Sequence, residues 1–486
     1  MTEDKKLVQR PKPGTIHEAA AALADGQTTS VALCEQLIER SRAVDAAING
    51  FRQLDAEAIL RQAERSDARR TAGQEHGPYD GIPVALKDNL AVTGESCGCA
   101  SRILEGYTAA YDATAVARLK AAGMLCFGRT NMDEFAMGSS TENSGYGPAR
   151  NPWNTDCVPG GSSGGSAAVV ASGQALAALG TDTGGSIRQP ASFCGIVGMK
   201  PTYGLISRYG LVAYASSLDQ IGPLTADVRD AAVLLDVVSG YDDRDSTSIP
   251  TQNGNFNQAL DNYDIGSLRI GVPAEYFNVE GLAPHVRTAV ETAISAYRDA
   301  GCEIVDLTLP TMKYVVAVYY IIATAEASSN LARYDGIRYG ARASTDDVLE
   351  TYYKTREAGF NKETKRRIIL GTYVLSSGYY DAYYLRAQKV RTLVRKDYTD
   401  AFQKCDVIIS PVSPIPAFRC GEISDPLQMY LMDIYTVPVN LAGNCSISVP
   451  FGTHANGLPI GVQLIGDALQ ETKILRAAHW LEGVGN

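Results

Sequence analysis

GIPVALKDN, residues 81–89, marks the point at which the chain changes from a helical to a strand-like texture. Ile82, Val84 and Leu86 alternate with Pro83, Ala85 and Lys87, so a strand here turns Lys87 away from the face that carries Ile82, Val84 and Leu86. Upstream, residues 15 to 72 read as a helical layer. Ile16 to Ala24 stops at Gly26, and Ser30 is placed to cap a second helix bearing Val31, Cys34, Leu37 and Ile38 on one face. Downstream, between about 110 and 240, short strand-like runs alternate with helical ones, the pattern of a sheet covered by helices. Residues 241–265 are polar and rich in turn formers, as a surface loop would be, and strand and helix signals return over 268–310. From Tyr314 to Tyr398 the pattern is helical and crowded with tyrosine. Tyr319, Tyr320, Tyr379, Tyr380, Tyr383 and Tyr384 fall at spacings expected of core.

At 486 residues the length would allow about three domains, yet no repeat and no linker-like segment divides the chain. Apolar residues make up 45% and charged residues 20%, the balance of a soluble globular protein with a large core. A net charge of −10 and a pI near 5.2 argue against a broad phosphate-binding surface, so any RNA would be gripped mainly by a partner. The ten cysteines are dispersed without CxxC pairs and read as reduced thiols of a cytoplasmic protein. Cys97 and Cys99 lack a second ligand pair, so no metal site is expected. The N-terminal stretch MTEDKKLVQRPKPG has no apolar segment of a secretion signal. The longest apolar run, about Tyr314 to Ala325, is too short to span a bilayer, so no membrane association is expected.

Two segments, PGGSSGGSAA at 159–168 and TDTGGSIRQP at 181–190, combine glycine and serine ahead of helical sequence. Glycines let backbone amides crowd around one point, and amides at a helix start stabilise developing negative charge, as an oxyanion hole requires. Neither segment contains GxxxxGK[ST], and neither completes a dinucleotide fingerprint, which excludes the common nucleotide loops. Gly160 to Gly164 formally fits the G-x-S-x-G elbow of an α/β-hydrolase, a mechanism that needs a downstream histidine. Of the five histidines only His454, in FGTHANG, is a plausible base. A serine without histidine needs another base, and a desolvated lysine can serve because burial lowers its pKa. Lys87, in an otherwise apolar strand, is the best candidate; a lysine reaching into solvent from a strand end is the competing reading.

GIPVALKDN, PGGSSGGSAA and GTDTGGSIRQPASFCGIVGMKPTYG together resemble the amidase signature family, with Lys87, Ser162 and Ser186 matching its lysine, bridging serine and nucleophile. The resemblance runs from about residue 15 to the C-terminus. It implies one α/β/α domain over residues 1–486, built on a large mixed sheet, with a tyrosine-rich helical part at about 314–404 lining the substrate. It further implies a cis peptide before Ser162, proton passage from Ser186 through Ser162 to Lys87, and oxyanion-hole amides from Thr183, Gly184 and Gly185. MDEFAMGSSTENSGYGPARNPWN, EASSNLARYDGIRYG and SSGYYDAYYLRAQKVR are similar to the branch serving tRNA-dependent amidotransferases. That likeness implies glutamine as substrate, with Arg367 for its α-carboxylate, Asp433 for its ammonium and Tyr319 alongside. It implies a heterotrimer in which this chain binds no cofactor and passes ammonia to a tRNA-binding kinase subunit, with a third, small subunit completing the assembly. The kinase subunit would hold ATP, Mg and the mischarged Glu-tRNA(Gln) or Asp-tRNA(Asn). A free-standing amidase is the alternative. NLAGNCSISVP, ending at Pro450, departs from the family's usual Leu-Pro-Gly stretch and is expected to reshape a wall near the substrate.

Overall fold

The computed structural model describes residues 14–251 and 254–485; the N-terminal stretch read above, up to residue 13, lies outside them. Eleven strands among the described residues form one sheet. They are β1 (Phe51–Gln53), β2 (Pro83–Lys87), β3 (Leu125–Thr130), β4 (Ala177–Asp182), β5 (Val197–Lys200), β6 (Gln220–Thr225), β7 (Arg269–Pro273), β8 (Glu303–Leu307), β9 (Val407–Pro411), β10 (Cys445–Thr453) and β11 (Pro459–Gly466). Their spatial order is β1-β3-β2-β4-β6-β5-β10-β11-β9-β7-β8. Parallel pairs (β2 with β3 and β4, β7 with β8 and β9) combine with antiparallel ones such as β4 with β6 and β10 with β11, so the sheet is mixed, as expected.

Both faces of this sheet are covered. Along β9, Val407 and Ile409 enter one apolar core while Ile408 enters the other, and along β11 Val462 and Leu464 part from Ile465 in the same way. Each such side chain contributes roughly 1.5–3 kcal/mol by leaving water. Alternation in β2 therefore does not part inside from outside: every residue of Pro83–Lys87 is buried, and Lys87 does not reach solvent.

Several local expectations change. Thr29, not Ser30, caps the second helix, accepting from the Ala32 amide at 3.1 Å, while Ser30 begins the helix and donates to the Gly81 carbonyl at 2.8 Å. The helical layer is interrupted by β1, which three residues are too few to announce by periodicity. The polar loop is anchored rather than loose: buried Asp242 accepts from Ser207 Oγ at 2.7 Å, and Asp245 pairs with Arg208 at 3.2 Å. The helical stretch Met312–Arg333 is, by length and composition, long and apolar enough to cross a membrane, contrary to the reading of a shorter run. It is instead packed beside the Gly-rich loops, with Glu326 accepting from Ser217 Oγ at 2.6 Å. Tyr379, Tyr380 and Tyr383 are exposed near a π-helical turn, Asp381–Leu385, and are not core.

Candidate active site

Lys87 ends β2, and β4 lies parallel beside it with Leu86 opposite Leu179, so both strands deliver their C-terminal ends to one place. There Lys87 Nζ lies 2.7 Å from Ser162 Oγ, 2.8 Å from Ser163 Oγ, 2.9 Å from Thr181 Oγ1 and 3.3 Å from the Thr181 carbonyl. No carboxylate among the described residues forms an ion pair with it. Burial lowers its pKa to about 7, opposed by the more distant charges of Asp133, Asp182 and Asp219. Near neutral pH a large share of Lys87 is thus free amine, able to accept the proton of a neighbouring hydroxyl.

Ser162 sits just before the helix Gly164–Ala171, and the Gly161–Ser162 peptide is cis, as the resemblance implies. Asp133 braces this turn. Its amide donates to the Ser162 carbonyl at 3.3 Å, and its carboxylate accepts from the amides of Thr141 at 2.9 Å and Asn143 at 3.0 Å. Only glycine fits at position 161, where a Cβ would collide with Asp133 Oδ2.

Ser186 lies in the loop between β4 and the helix Arg188–Cys194. Asp182 holds that loop: its carboxylate accepts from the Gly185 amide at 2.8 Å and the Ile187 amide at 3.2 Å, and Arg188 brackets it at 2.9 and 3.0 Å. Burial opposes the charge on Asp182, but Arg188 holds its carboxyl below the usual range. The Gly185 amide is therefore engaged, which differs from its expected place in the oxyanion hole. The amides of Thr183, Gly184 and Ser186 donate to no group among the described residues. No hydrogen bond joins Ser162 Oγ to Ser186 Oγ; the loops meet through the Ser163 amide and the Ser186 carbonyl at 3.1 Å. Such catalytic contacts commonly tighten only once substrate is bound.

Opposite the loop, the Tyr319 ring lies against Gly184, where a Cβ would come within 2.6 Å of its Cζ. Arg367 is buried, so it is no member of a solvated charge run, and it donates to Glu363 Oε1 and the Tyr214 hydroxyl, both at 2.8 Å. Its Nη2 has no hydrogen-bond partner among the described residues. Arg366 is partly exposed and pairs with Glu363. Asp433 is also buried. Ser139 Oγ donates to its Oδ2 at 2.6 Å, and burial pushes its pKa up to about 7. Thr436, one turn on, donates to the Gly184 carbonyl at 2.6 Å and so keeps Asp433 close to the loop.

The amidase family's sequence pattern matches residues 32–475. The chain belongs to the amidase family. It is 56% identical to the A subunit of glutamyl-tRNA(Gln) amidotransferase from Geotalea daltonii, over 96% of each chain. A crystal structure of the A subunit of glutamyl-tRNA(Gln) amidotransferase from Thermotoga maritima is similar with a TM-score of 0.79 and 42% identity, covering 96% of this chain and 93% of that one. Peptide amidase from Stenotrophomonas maltophilia is similar with a TM-score of 0.81 and 27% identity, covering 97% and 96%.

In this amidase the histidine reading has no geometry behind it, since the His454 ring meets His285 edge to face at 4.7 Å and its Nδ1 accepts from the Asn456 amide. The departing segment meets the nucleophile loop through Asn440, which donates to the Asp182 carboxylate at 2.9 Å and accepts from Arg188, while Asn444 is turned to Lys200 and Gly466. Ser163, Thr181, Asp219, Glu363 and Tyr214 take part in the site without having been singled out. Ser163 and Thr181 stood inside the quoted Gly/Ser segments, and two adjacent serines beside a lysine-based mechanism were the available signal. Among the described residues one group, His17, Asp227 and Asp230, brings three potential metal ligands within 4.8 Å. It lies away from these loops, and Asp230 already accepts from the Ile16 and His17 amides at 2.5 and 3.1 Å.

Proposed function

We propose that the chain hydrolyses glutamine, with Ser186 as nucleophile, Ser162 as proton bridge and Lys87 as base. Ser186 Oγ attacks the side-chain amide carbon while its proton moves to Ser162 Oγ, whose own proton passes to Lys87 Nζ. The amides of Thr183, Gly184 and Ser186 stabilise the oxyanion, with Gly185 anchoring the loop through Asp182. The proton returns by the same path to the departing nitrogen, and ammonia leaves a glutamyl ester on Ser186. Water, deprotonated by the same serine and lysine, then releases glutamate. The observation that carries this reading is the buried Lys87 amine 2.7 Å from Ser162, unpaired with any carboxylate, at the foot of the Ser186 loop.

Glutamine is favoured by two charges of opposite sign beside Gly184. Arg367 retains a donor for the α-carboxylate, and Asp433, which has no cation partner among the described residues, would regain its charge against an α-ammonium. Sequence, not shape, separates the candidates for the wider role: the peptide amidase matches the fold as well as the tRNA enzyme does, but at 27% identity against 42%. We therefore assign the chain to a heterotrimeric, cytoplasmic amidotransferase. In it, ammonia passes to a tRNA-binding kinase subunit that carries ATP, Mg and Glu-tRNA(Gln) or Asp-tRNA(Asn), and a third, small subunit completes the assembly. Ten cysteines present as thiols suit that compartment. The test is ammonia release from glutamine with and without the tRNA-binding partner. The partner and its tRNA should raise it, and Ser186→Ala should abolish both hydrolysis and the covalent glutamyl adduct. Adduct on Ser162 instead would refute the assignment, and hydrolysis indifferent to any partner would favour a free-standing amidase.

A further inference from the structure

Asp219 lies 36 residues beyond Thr183 and is fully buried where β6 begins, yet it touches both halves of the site. Thr183 Oγ1 donates to its Oδ1 at 2.7 Å. Its Oδ2 accepts from the Tyr214 amide at 2.8 Å and the Ala215 amide at 3.0 Å. Tyr214 in turn presents its hydroxyl to Arg367 Nη1 at 2.8 Å. A second connection runs alongside: the Tyr319 ring rests on Gly184, and its hydroxyl lies near that of Tyr214. The residues offering oxyanion-hole amides are thus joined, through one carboxylate and two tyrosines, to the guanidinium at the other end of the substrate.

We infer that Asp219 is a positioning residue, which couples capture of the substrate's α-carboxylate by Arg367 to the placement of the Thr183–Gly184 amides. The inference rests on the glutaminase reading above. A carboxylate that takes up Arg367 shifts the balance of its bonds to Glu363 and Tyr214. Tyr214 cannot move without Asp219, which holds its backbone amide, and Asp219 cannot move without the Thr183 hydroxyl. Glutamine thereby sets its own oxyanion hole, whereas a small amide lacking the α-carboxylate leaves the linkage idle. Contiguity alone does not establish coupling, so the test measures coupling directly.

The full chain is assayed with glutamine and with 4-aminobutanamide, which is glutamine without its α-carboxylate. Thr183→Val removes the bond to Asp219 and keeps the amide; Tyr214→Phe removes the contact with Arg367. Each should lower kcat on glutamine about tenfold with little change in KM, and the double variant should lose about tenfold rather than a hundredfold. The loss caused by Tyr214→Phe should be at least about fivefold smaller on 4-aminobutanamide than on glutamine, and Thr183→Ser should restore the glutamine rate. Additive losses, or losses equal for both substrates, would overturn the coupling. Should Thr183→Val fold poorly, Asp219→Asn replaces it in the cycle, since it keeps an acceptor for Thr183 but sets a donor against the Tyr214 amide. A parent chain that hydrolyses glutamine with an additive cycle removes this inference alone. A parent chain that does not hydrolyse glutamine removes the glutaminase reading and this inference with it.

Discussion

Raising the pH from 6 to 8 should increase the rate of acyl-enzyme formation about tenfold and then leave it level, because the rate follows the free-amine fraction of one lysine. With its pKa near 7, Lys87 is about one-eleventh amine at pH 6, about half at pH 7 and about ten-elevenths at pH 8. An unshifted lysine at 10.5 would be only about 0.03% amine at pH 7, and its rate would climb tenfold per unit up to pH 10. The displacement corresponds to roughly 5 kcal/mol of differential interaction at about 1.36 kcal/mol per unit, and burial without an ion pair is its source. The sign is that of a base: protonation at low pH removes the acceptor, so activity is lost as the pH falls through 7. The apparent value belongs to the serine–serine–lysine set and not to Lys87 alone. Single-turnover ammonia release from glutamine, measured from pH 5.5 to 10, reads the profile. Lys87→Arg, whose guanidinium stays protonated throughout, should be nearly inactive at every pH. A rate still rising between pH 9 and 10, or an arginine variant that keeps most of the activity with the parental profile, would refute the lysine base.

Asp433→Asn keeps an acceptor for Ser139 but cannot pair with an ammonium, so kcat/KM for glutamine should fall about 30-fold or more. An equal loss on an amide without the α-amino group would show that Asp433 does not read that group. Gly184→Ala drives a methyl to within 2.6 Å of the Tyr319 ring and displaces an oxyanion donor, so kcat should drop about a hundredfold while the chain still folds. Tyr319→Ala in the same background makes room for the methyl and should recover part of that loss; no recovery would place the fault elsewhere.

Lys87, Ser162 and Ser186 were legible because each stands in a short segment whose residue types are dictated by the chemistry. Strand alternation turned Lys87 from the face of Ile82, Val84 and Leu86. It could not show that both faces of β2 are buried, since that depends on helices from distant parts of the chain. The same limit applies to the substrate end. Arg367 reads as one of three consecutive cations until Tyr214, 153 positions away, and Glu363, one turn before it, draw it inward. Asp433 acquires its polar partner from Ser139, 294 positions away. The engagement of the Gly185 amide was likewise hidden, because a glycine-rich loop shows how many amides could converge but not which one a neighbouring carboxylate will take.

Lys87 is surrounded by acids and yet paired with none, and the reason lies in what those acids already hold. Asp133 is turned to the Thr141 and Asn143 amides, Asp182 to the Gly185 and Ile187 amides and Arg188, and Asp219 to the Tyr214 and Ala215 amides and the Thr183 hydroxyl. Each fixes a loop that carries part of the chemistry. Each is also kept off Nζ by the bonds it makes in doing so. A carboxylate in direct contact would hold the lysine charged and leave Ser162 without an acceptor for its proton. Hydroxyls at 2.7 to 2.9 Å satisfy the amine without imposing a charge on it. The arrangement that positions the Ser162 turn, the Ser186 loop and the Thr183 side chain is thus the same one that leaves Lys87 free to act as a base.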